Sequence, residues 1–237
     1  MPFSRIAVVV PAAGAGLRFG DERPKQYARV AGRLVLDYTL EVLFECQPAE
    51  IVLVVAADDE AWRDVPGVSR AQVVTGGSTR AESVIAGLGA VTNADWAMVH
   101  DAARPCVGAA EIRRLADEVD DEAGGLLAVQ VSDTVKRGAG DRVALTVDRA
   151  DLWHAQTPQL FPLATLVRAL AGEANVTDES SAIESVGLAP RLVAGRPDNI
   201  KVTFPGDLAR CEDILARQGR IAVRAAAGTA PPSEAVQ

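Results

Sequence analysis

A run of valines, Val8 to Val10, feeds directly into PAAGAGLRFG at residues 11–20, and RPKQY follows at residues 23–27. The small residues Pro11, Ala12, Ala13, Gly14, Ala15 and Gly16 let backbone N–H groups approach an anion with no side chain in the way. Arg18 and Lys25 then supply fixed positive charge. When a nucleophile attacks an α-phosphate, charge builds on its oxygens and on the departing pyrophosphate, so cations aimed there stabilise the transition state more than the ground state. A Walker A loop would end in Gly-Lys-Ser/Thr, and this one does not. A dinucleotide loop would read GxGxxG, with an acidic residue roughly twenty positions on. Gly14, Gly16 and Gly20 are spaced differently, and the second strand ends near Asp58, about twice as far along as that pattern needs. The plain alternative is a tight turn with solvated cations; the Pro24-Lys25-Gln26 that follows weighs against it.

Two further loops follow strand-like runs. TGGSTRAESV, residues 75–84, offers close backbone approach at Gly76 and Gly77 and hydroxyls at Ser78 and Ser83, a set that can read the edge of a nucleobase. A bare helix cap at Thr79 is its plain reading. DAARP, residues 101–105, puts Asp101 at a strand end. Asp101 could hold a ribose hydroxyl, a substrate hydroxyl or a magnesium-bound water. Arg104 suits a phosphate or simply pairs with Asp101. His100 and His154 are the only histidines. Neither has a partner at zinc-ligand spacing, so satisfied structural roles are expected for both.

These loops need a frame. Ile6–Val10, Ile51–Ala56, Gln72–Val74, Trp96–His100 and Leu126–Val129 read as strands. Leu34–Cys46, Arg80–Val91, Ala109–Asp121 and Asp207–Arg217 read as helices, with Thr79 and Glu82 at capping-box spacing. The alternation predicts an α/β fold, a mostly parallel sheet flanked by helices, in which ligand loops lie beyond the carboxyl ends of the strands. VKRGAGDRVALTVDR, residues 135–149, breaks the rhythm. Val143, Leu145 and Val147 alternate behind Gly138 and Gly140, which predicts an inserted β-hairpin arm that packs on something else. We expect one nucleotidyltransferase domain over residues 1–222, the arm at about 132–156, and a disordered small-residue tail at 223–237.

Of the 237 residues, 49% are hydrophobic and only 4% aromatic, so the core must be built of Val, Ala, Leu and Ile. The net charge of -8 argues against a nucleic-acid partner. No run is long enough to span a membrane. Three dispersed cysteines, Cys46, Cys106 and Cys211, suit reduced thiols in a cytoplasmic protein.

Taken together, PAAGAGLRFG…PKQY, GGSTRAESV, VHDAARP, SDTVK, VDRADLWHAQTPQLF, TDESSA and DNIKVT…DL, spread over residues 11–208, resemble the 2-C-methyl-D-erythritol 4-phosphate cytidylyltransferases of the non-mevalonate isoprenoid pathway. The resemblance implies a Rossmann-like domain whose β-arm forms a homodimer. It implies transfer of CMP from CTP to methylerythritol phosphate, giving the diphosphocytidyl product and pyrophosphate, with a divalent metal, usually magnesium. No dedicated metal ligands are implied; the triphosphate would mainly hold the ion, with Asp101 as a further ligand candidate. Arg18 and Lys25 match the stabilisers of the attacked phosphate, and Pro11 to Gly16 match the triphosphate and ribose cradle. Gly77, Ser78 and Ser83 match the cytosine-reading loop, and Asp101 and Ala102 the ribose and substrate region. Thr134 and Arg149 match arm residues that reach the partner's site. Arg104, Thr157 and Thr177 match other substrate contacts, and Lys201 a lysine that places the attacking phosphate. Ser180 stands where many members have Ala, and Ser78 where some have Asp. Two alternatives remain: a cytidylyltransferase for another polyol phosphate such as ribitol phosphate, and a nucleotide-binding regulatory module, which should have lost Arg18, Lys25 or Lys201.

Overall fold

A computed structural model describes residues 1–14, 19, 24–172 and 176–222. Eleven strands and six α-helices are present among them. The strands are β1 (Ile6–Pro11), β2 (Arg29–Val30), β3 (Arg33–Leu34), β4 (Glu50–Val55), β5 (Gln72–Thr75), β6 (Trp96–Val99), β7 (Gly125–Gln130), β8 (Val135–Ala139), β9 (Arg142–Val147), β10 (Trp153–Pro162) and β11 (Arg191–Ala194). The helices are α1 (Val35–Glu45), α2 (Arg80–Gly89), α3 (Ala109–Glu118), α4 (Leu163–Gly172), α5 (Glu179–Ser185) and α6 (Asp207–Arg217).

Seven strands form one sheet in the order β11-β7-β10-β6-β1-β4-β5. As the alternation predicts, it is mostly parallel; β10 runs against both its neighbours. Successive side chains of a strand point to opposite faces, and β1 shows this directly. Ile6, Val8 and Val10 join one core with Leu36, Leu40 and Leu43 of α1 and Ile112 and Leu115 of α3. Val9 faces the other way, into a core with Val84 and Leu88 of α2, Leu166 of α4 and Ile183 of α5. Both faces are covered, which is why the strands read as unbroken apolar runs. Helix α2 lies close against the sheet: a Cβ on Gly87 would come 2.5 Å from Val9 Cγ1, so only glycine fits without a shift.

The chain goes from β1 outward to β4 and β5, then returns to place β6 on the other side of β1. That reversal opens a crevice beyond the carboxyl ends of β1 and β6. The loops after β1, β5 and β6 meet there, as the sequence predicts.

Strands β8 and β9 form a separate two-stranded sheet. Gly140 turns the hairpin at φ +62°, a conformation glycine adopts without strain. Gly138 sits at a register shift within β8 rather than in the turn. Val143 and Leu145 are 63% and 46% exposed on the same strand face. The predicted arm is shorter at its far end: Trp153 already pairs with Gln130 of β7, so residues 153–156 belong to the main sheet. The expected tail at 223–237 lies outside the described residues. Among the described residues no helix is long and apolar enough to cross a membrane.

Candidate functional site

The crevice holds a cleft of about 160 Å³, lined by three converging loops and by Lys25 and Lys201. Pro11, Ala12, Ala13 and Gly14 form one wall, Gly77, Ser78 and Ser83 a second, and Asp101 and Ala102 a third. The sequence reading thus brought eleven of its site residues to one place, counting the two lysines. Ala15, Gly16 and Arg18 lie outside the described residues.

Lys25 opens a short 3₁₀ turn, Lys25–Tyr27, that is anchored on both sides. Gln26, almost wholly buried, donates from Nε2 to the Ala12 carbonyl at 2.6 Å, joining the turn to the glycine-rich loop. Tyr27 donates its hydroxyl to Asp59 Oδ2 at 2.6 Å, joining it to the loop after β4. Burial first, then the Asp59 carboxylate, push the Tyr27 hydroxyl far above its ordinary range; it stays a donor.

The second wall is held by Glu82. Its Oε2 accepts the Ser78 N–H and the Ser78 hydroxyl, each at 2.6 Å, and the Thr79 N–H at 3.1 Å. The Thr79 hydroxyl returns the bond by accepting the Glu82 N–H, which completes the predicted capping box. A side chain on Gly77 would collide with Glu82, so this tight wrap requires glycine. The Ser78 N–H and hydroxyl are thereby both committed to Glu82. Ser83 itself donates to the Thr79 carbonyl at 2.9 Å.

Asp101 is the hub of the third wall. Arg80 reaches its Oδ1 from Nε at 3.3 Å and from Nη2 at 3.2 Å. Lys201 Nζ lies 2.7 Å from Oδ2, and Arg104 Nε 3.6 Å from the same oxygen. Burial alone would raise the carboxyl, but Arg80, Lys201 and Arg104 overturn that and hold it well below the usual carboxylate range. Burial draws Arg104 down, against the pull of Asp101; it also donates to the Asn199 carbonyl at 2.7 Å. The loop backbone is pinned as well. Thr39 of α1 donates to the Ala102 carbonyl at 3.0 Å, and the Val202 N–H to the Ala103 carbonyl at 2.8 Å, which draws the Lys201 segment alongside.

Beneath Asp101 lies a proton-ordered chain. His100 Nε2 is 3.2 Å from the Arg104 carbonyl, an acceptor only, so Nε2 carries the hydrogen. Nδ1, 3.1 Å from the Thr157 hydroxyl, therefore accepts. The Thr157 oxygen in turn accepts the Asp101 N–H at 3.0 Å. Burial keeps His100 neutral, lowering it to about 4. Thr157 reaches this position because β10 shifts register between Ala155 and Gln159; such bulges re-aim side chains beside active sites. Thr157 and Arg104 thus support the cleft from behind instead of lining it.

The remaining predicted residues lie elsewhere. Thr177 bonds to Ser181 at the start of α5. Thr134 and Arg149 are exposed at the root of the β8–β9 hairpin and do not line this cleft. Arg80, Gln26, Thr79 and Ala103 line the cleft although the sequence reading singled none of them out as binding. Arg80 stands in the quoted GGSTRAESV, first in helix α2 after its cap, where a side chain at a helix start faces the loop edge. Arg80 also holds Glu179, at 2.6 and 3.1 Å. The described cleft-lining side chains include three cations, Lys25, Arg80 and Lys201, against one carboxylate, Asp101. That surplus suits a polyanion.

The family model described as 2-C-methyl-D-erythritol 4-phosphate cytidylyltransferase matches residues 6–217. The chain is 49% identical over 219 residues to the 2-C-methyl-D-erythritol 4-phosphate cytidylyltransferase of Azoarcus sp. (strain BH72), covering 87% of this chain and 92% of that protein. It is 45% identical over 225 residues to the enzyme of the same name from Cronobacter sakazakii (strain ATCC BAA-894), covering 91% and 95%. Among solved structures, the 2-C-methyl-D-erythritol 4-phosphate cytidylyltransferase of Francisella tularensis superposes with a TM-score of 0.75 at 33% identity, over 89% of this chain and 100% of that one. The Thermus thermophilus enzyme gives 0.77 at 29% identity, over 89% and 98%.

Proposed function

The chain belongs to the 2-C-methyl-D-erythritol 4-phosphate cytidylyltransferase family, and from that premise we propose how its cleft performs the reaction. The enzyme is a nucleotidyltransferase that transfers CMP from CTP to 2-C-methyl-D-erythritol 4-phosphate, a step of isoprenoid synthesis, and releases pyrophosphate. The observation that carries the reading is the meeting of Lys25, the glycine-rich wall, the Gly77–Ser83 wall and the Asp101–Lys201 pair in one cleft.

The nucleophile is a phosphate oxygen of the substrate. A phosphate monoester is mostly dianionic at neutral pH, so it needs no general base. The difficulty is bringing that dianion to a triphosphate, and positioning with electrostatics supplies the catalysis. Lys25 and Arg18 stabilise the attacked α-phosphate. Pro11 to Gly16 cradle the triphosphate, Gly77, Ser78 and Ser83 read the cytosine, and Asp101 with Ala102 holds the ribose. Lys201 leaves Asp101 to hold the attacking phosphate. Arg104, Thr157 and Thr177 shape the acceptor side.

Thr134 and Arg149 act in the cleft of a second copy, reached by the hairpin arm of a homodimer. Exposed Val143 and Leu145 on one face of that arm support this. The catalytic unit is a single domain over residues 1–222, supported by the seven-stranded sheet that spans β1 to β11 and by a family match over residues 6–217. We place it in the cytoplasm, which suits three buried free cysteines.

Magnesium accompanies the CTP. Among the described residues no group of three or more His, Cys, Asp or Glu side chains could cage a metal. Asp101 is the one carboxylate on the described cleft wall, and cations already occupy both its oxygens. Those pairs leave Asp101 a poor metal ligand, so the ion would be held by the phosphate oxygens of CTP. Its chemistry is neutralisation of triphosphate charge.

Pyrophosphate release, measured with each of the four ribonucleoside triphosphates against methylerythritol phosphate and ribitol phosphate, tests the reading. Turnover is expected with CTP and methylerythritol phosphate alone. Comparable turnover with ribitol phosphate would overturn the substrate assignment.

A further inference from the structure

Glu179 never touches the cleft, yet it is 1% exposed and its carboxylate meets an arginine that does line it. A buried carboxylate with a single cationic partner is costly unless that partner is held well. Its environment bears the strain: burial raises the carboxyl above its ordinary value, and Arg80 only partly offsets this. Three segments distant in sequence meet at the pair: α2 through Arg80, the loop after β6 through Asp101, and α5 through Glu179. The guanidinium is a planar fork. Nη1 and Nη2 engage the two oxygens of Glu179 at 2.6 and 3.1 Å, and Nε and Nη2 both engage Asp101 Oδ1. With its plane fixed from beneath by Glu179, Arg80 holds one oxygen of Asp101 and leaves Oδ2 turned to Lys201 and Arg104.

We propose that Glu179 is a positioning residue for nucleotide selection: it fixes the Arg80 fork, and through it the orientation in which Asp101 meets the ribose hydroxyls. This rests on the cytidylyltransferase reading of the cleft. Freed of Glu179, Arg80 keeps only Asp101, and the carboxylate turns with it. A misplacement of about 1 Å at a positioned group can lower rate on the order of 10²-fold.

The test compares CTP with 2′-deoxy-CTP and 3′-deoxy-CTP, methylerythritol phosphate being held saturating. Three variants are used: Glu179→Gln, Glu179→Asp, and the charge-free double variant Glu179→Leu with Arg80→Met. The parent enzyme should prefer CTP over at least one deoxy analogue. In Glu179→Gln, kcat/KM for CTP should fall about tenfold or more while the deoxy analogue falls less, so the preference shrinks; Glu179→Asp should restore part of it. The double variant leaves no buried charge unpaired, so it should fold even if Glu179→Gln does not, and it should show the same shrunken preference. A folded double variant that keeps the parent's ratio of CTP to deoxy-CTP would show the pair to be structural only and overturn the proposal. Failure of the parent enzyme to use CTP at all would instead overturn the reading beneath it.

Discussion

Replacing His100 by Gln should remove a specific part of the protein's acid sensitivity. His100 is fully buried and held neutral, with its value lowered from 6.5 to about 4 by burial. The unfolded chain binds a proton at this site below about pH 6.5, whereas the folded chain does not until about pH 4. Stability therefore falls as the pH is lowered across that window, because the unfolded state binds more protons. A gap of about 2.5 units at about 1.36 kcal/mol each gives at most about 3.4 kcal/mol. Between about pH 7.5 and 4.5 the expected share is about 2.5 kcal/mol by the same linkage. Urea unfolding at both pH values, on parent and His100→Gln proteins, measures it through the midpoint and slope. Asp101 loses its contribution only as pH falls below the unfolded carboxylate value near 3.9. Glu179, raised by burial, contributes with the opposite sign. Both are shared by the two proteins and drop out of the comparison. The variant should start less stable at neutral pH and lose about 2.5 kcal/mol less on acidification. Equal losses in the two proteins, within about 0.5 kcal/mol, would refute the assignment of a buried neutral imidazole under Asp101.

Lys25→Ala should lower pyrophosphate release on the order of 10² to 10³-fold with an unchanged circular-dichroism spectrum, and normal release would remove Lys25 from the mechanism. Mixing Arg149→Ala protein with Lys25→Ala protein should recover part of the activity, since a heterodimer would own one intact cleft; no recovery after verified subunit exchange counts against site sharing. Tyr27→Phe should cost about 1 kcal/mol of stability and lower kcat more than it raises the KM for CTP, because the turn presenting Lys25 loses its tie to Asp59; unchanged kcat would mean that Gln26 holds the turn alone.

The frame was legible because its strands are buried on both faces and carry little but Val, Leu, Ile and Ala. Runs such as residues 6–10 and 51–55 need no context to read as strands. Strand β10 was not legible. Gln156, Thr157, Pro158 and Gln159 interrupt it, and a proline argues against an interior strand; here the register shift between Ala155 and Gln159 accommodates it. Strand β11 is too short to show a period, and α5 is a single short helix behind an Asp178 cap. Cleft-lining residues on glycine-rich or strand-end loops could be picked out from sequence because their types are unusual there. Arg80 and Glu179 could not. Each sits in a helix, where a charge reads as solvated, and their meeting depends on which helices the sheet places side by side. Glu82 is a different case: the capping box was visible in the sequence, but its hold on Ser78 was not.

Asp101 has a consequence for inhibitor chemistry. Asp101 is already paired with Arg80, Arg104 and Lys201, so it offers an incoming amine little uncompensated negative charge. An amine brought here would meet Arg80 and Lys201 on the cleft wall, and like charges at such range repel. Scaffolds for this cleft should therefore carry a carboxylate, phosphonate or sulfonamide aimed at Lys201 and Arg80. A screening collection rich in basic heterocycles would search the wrong chemical space.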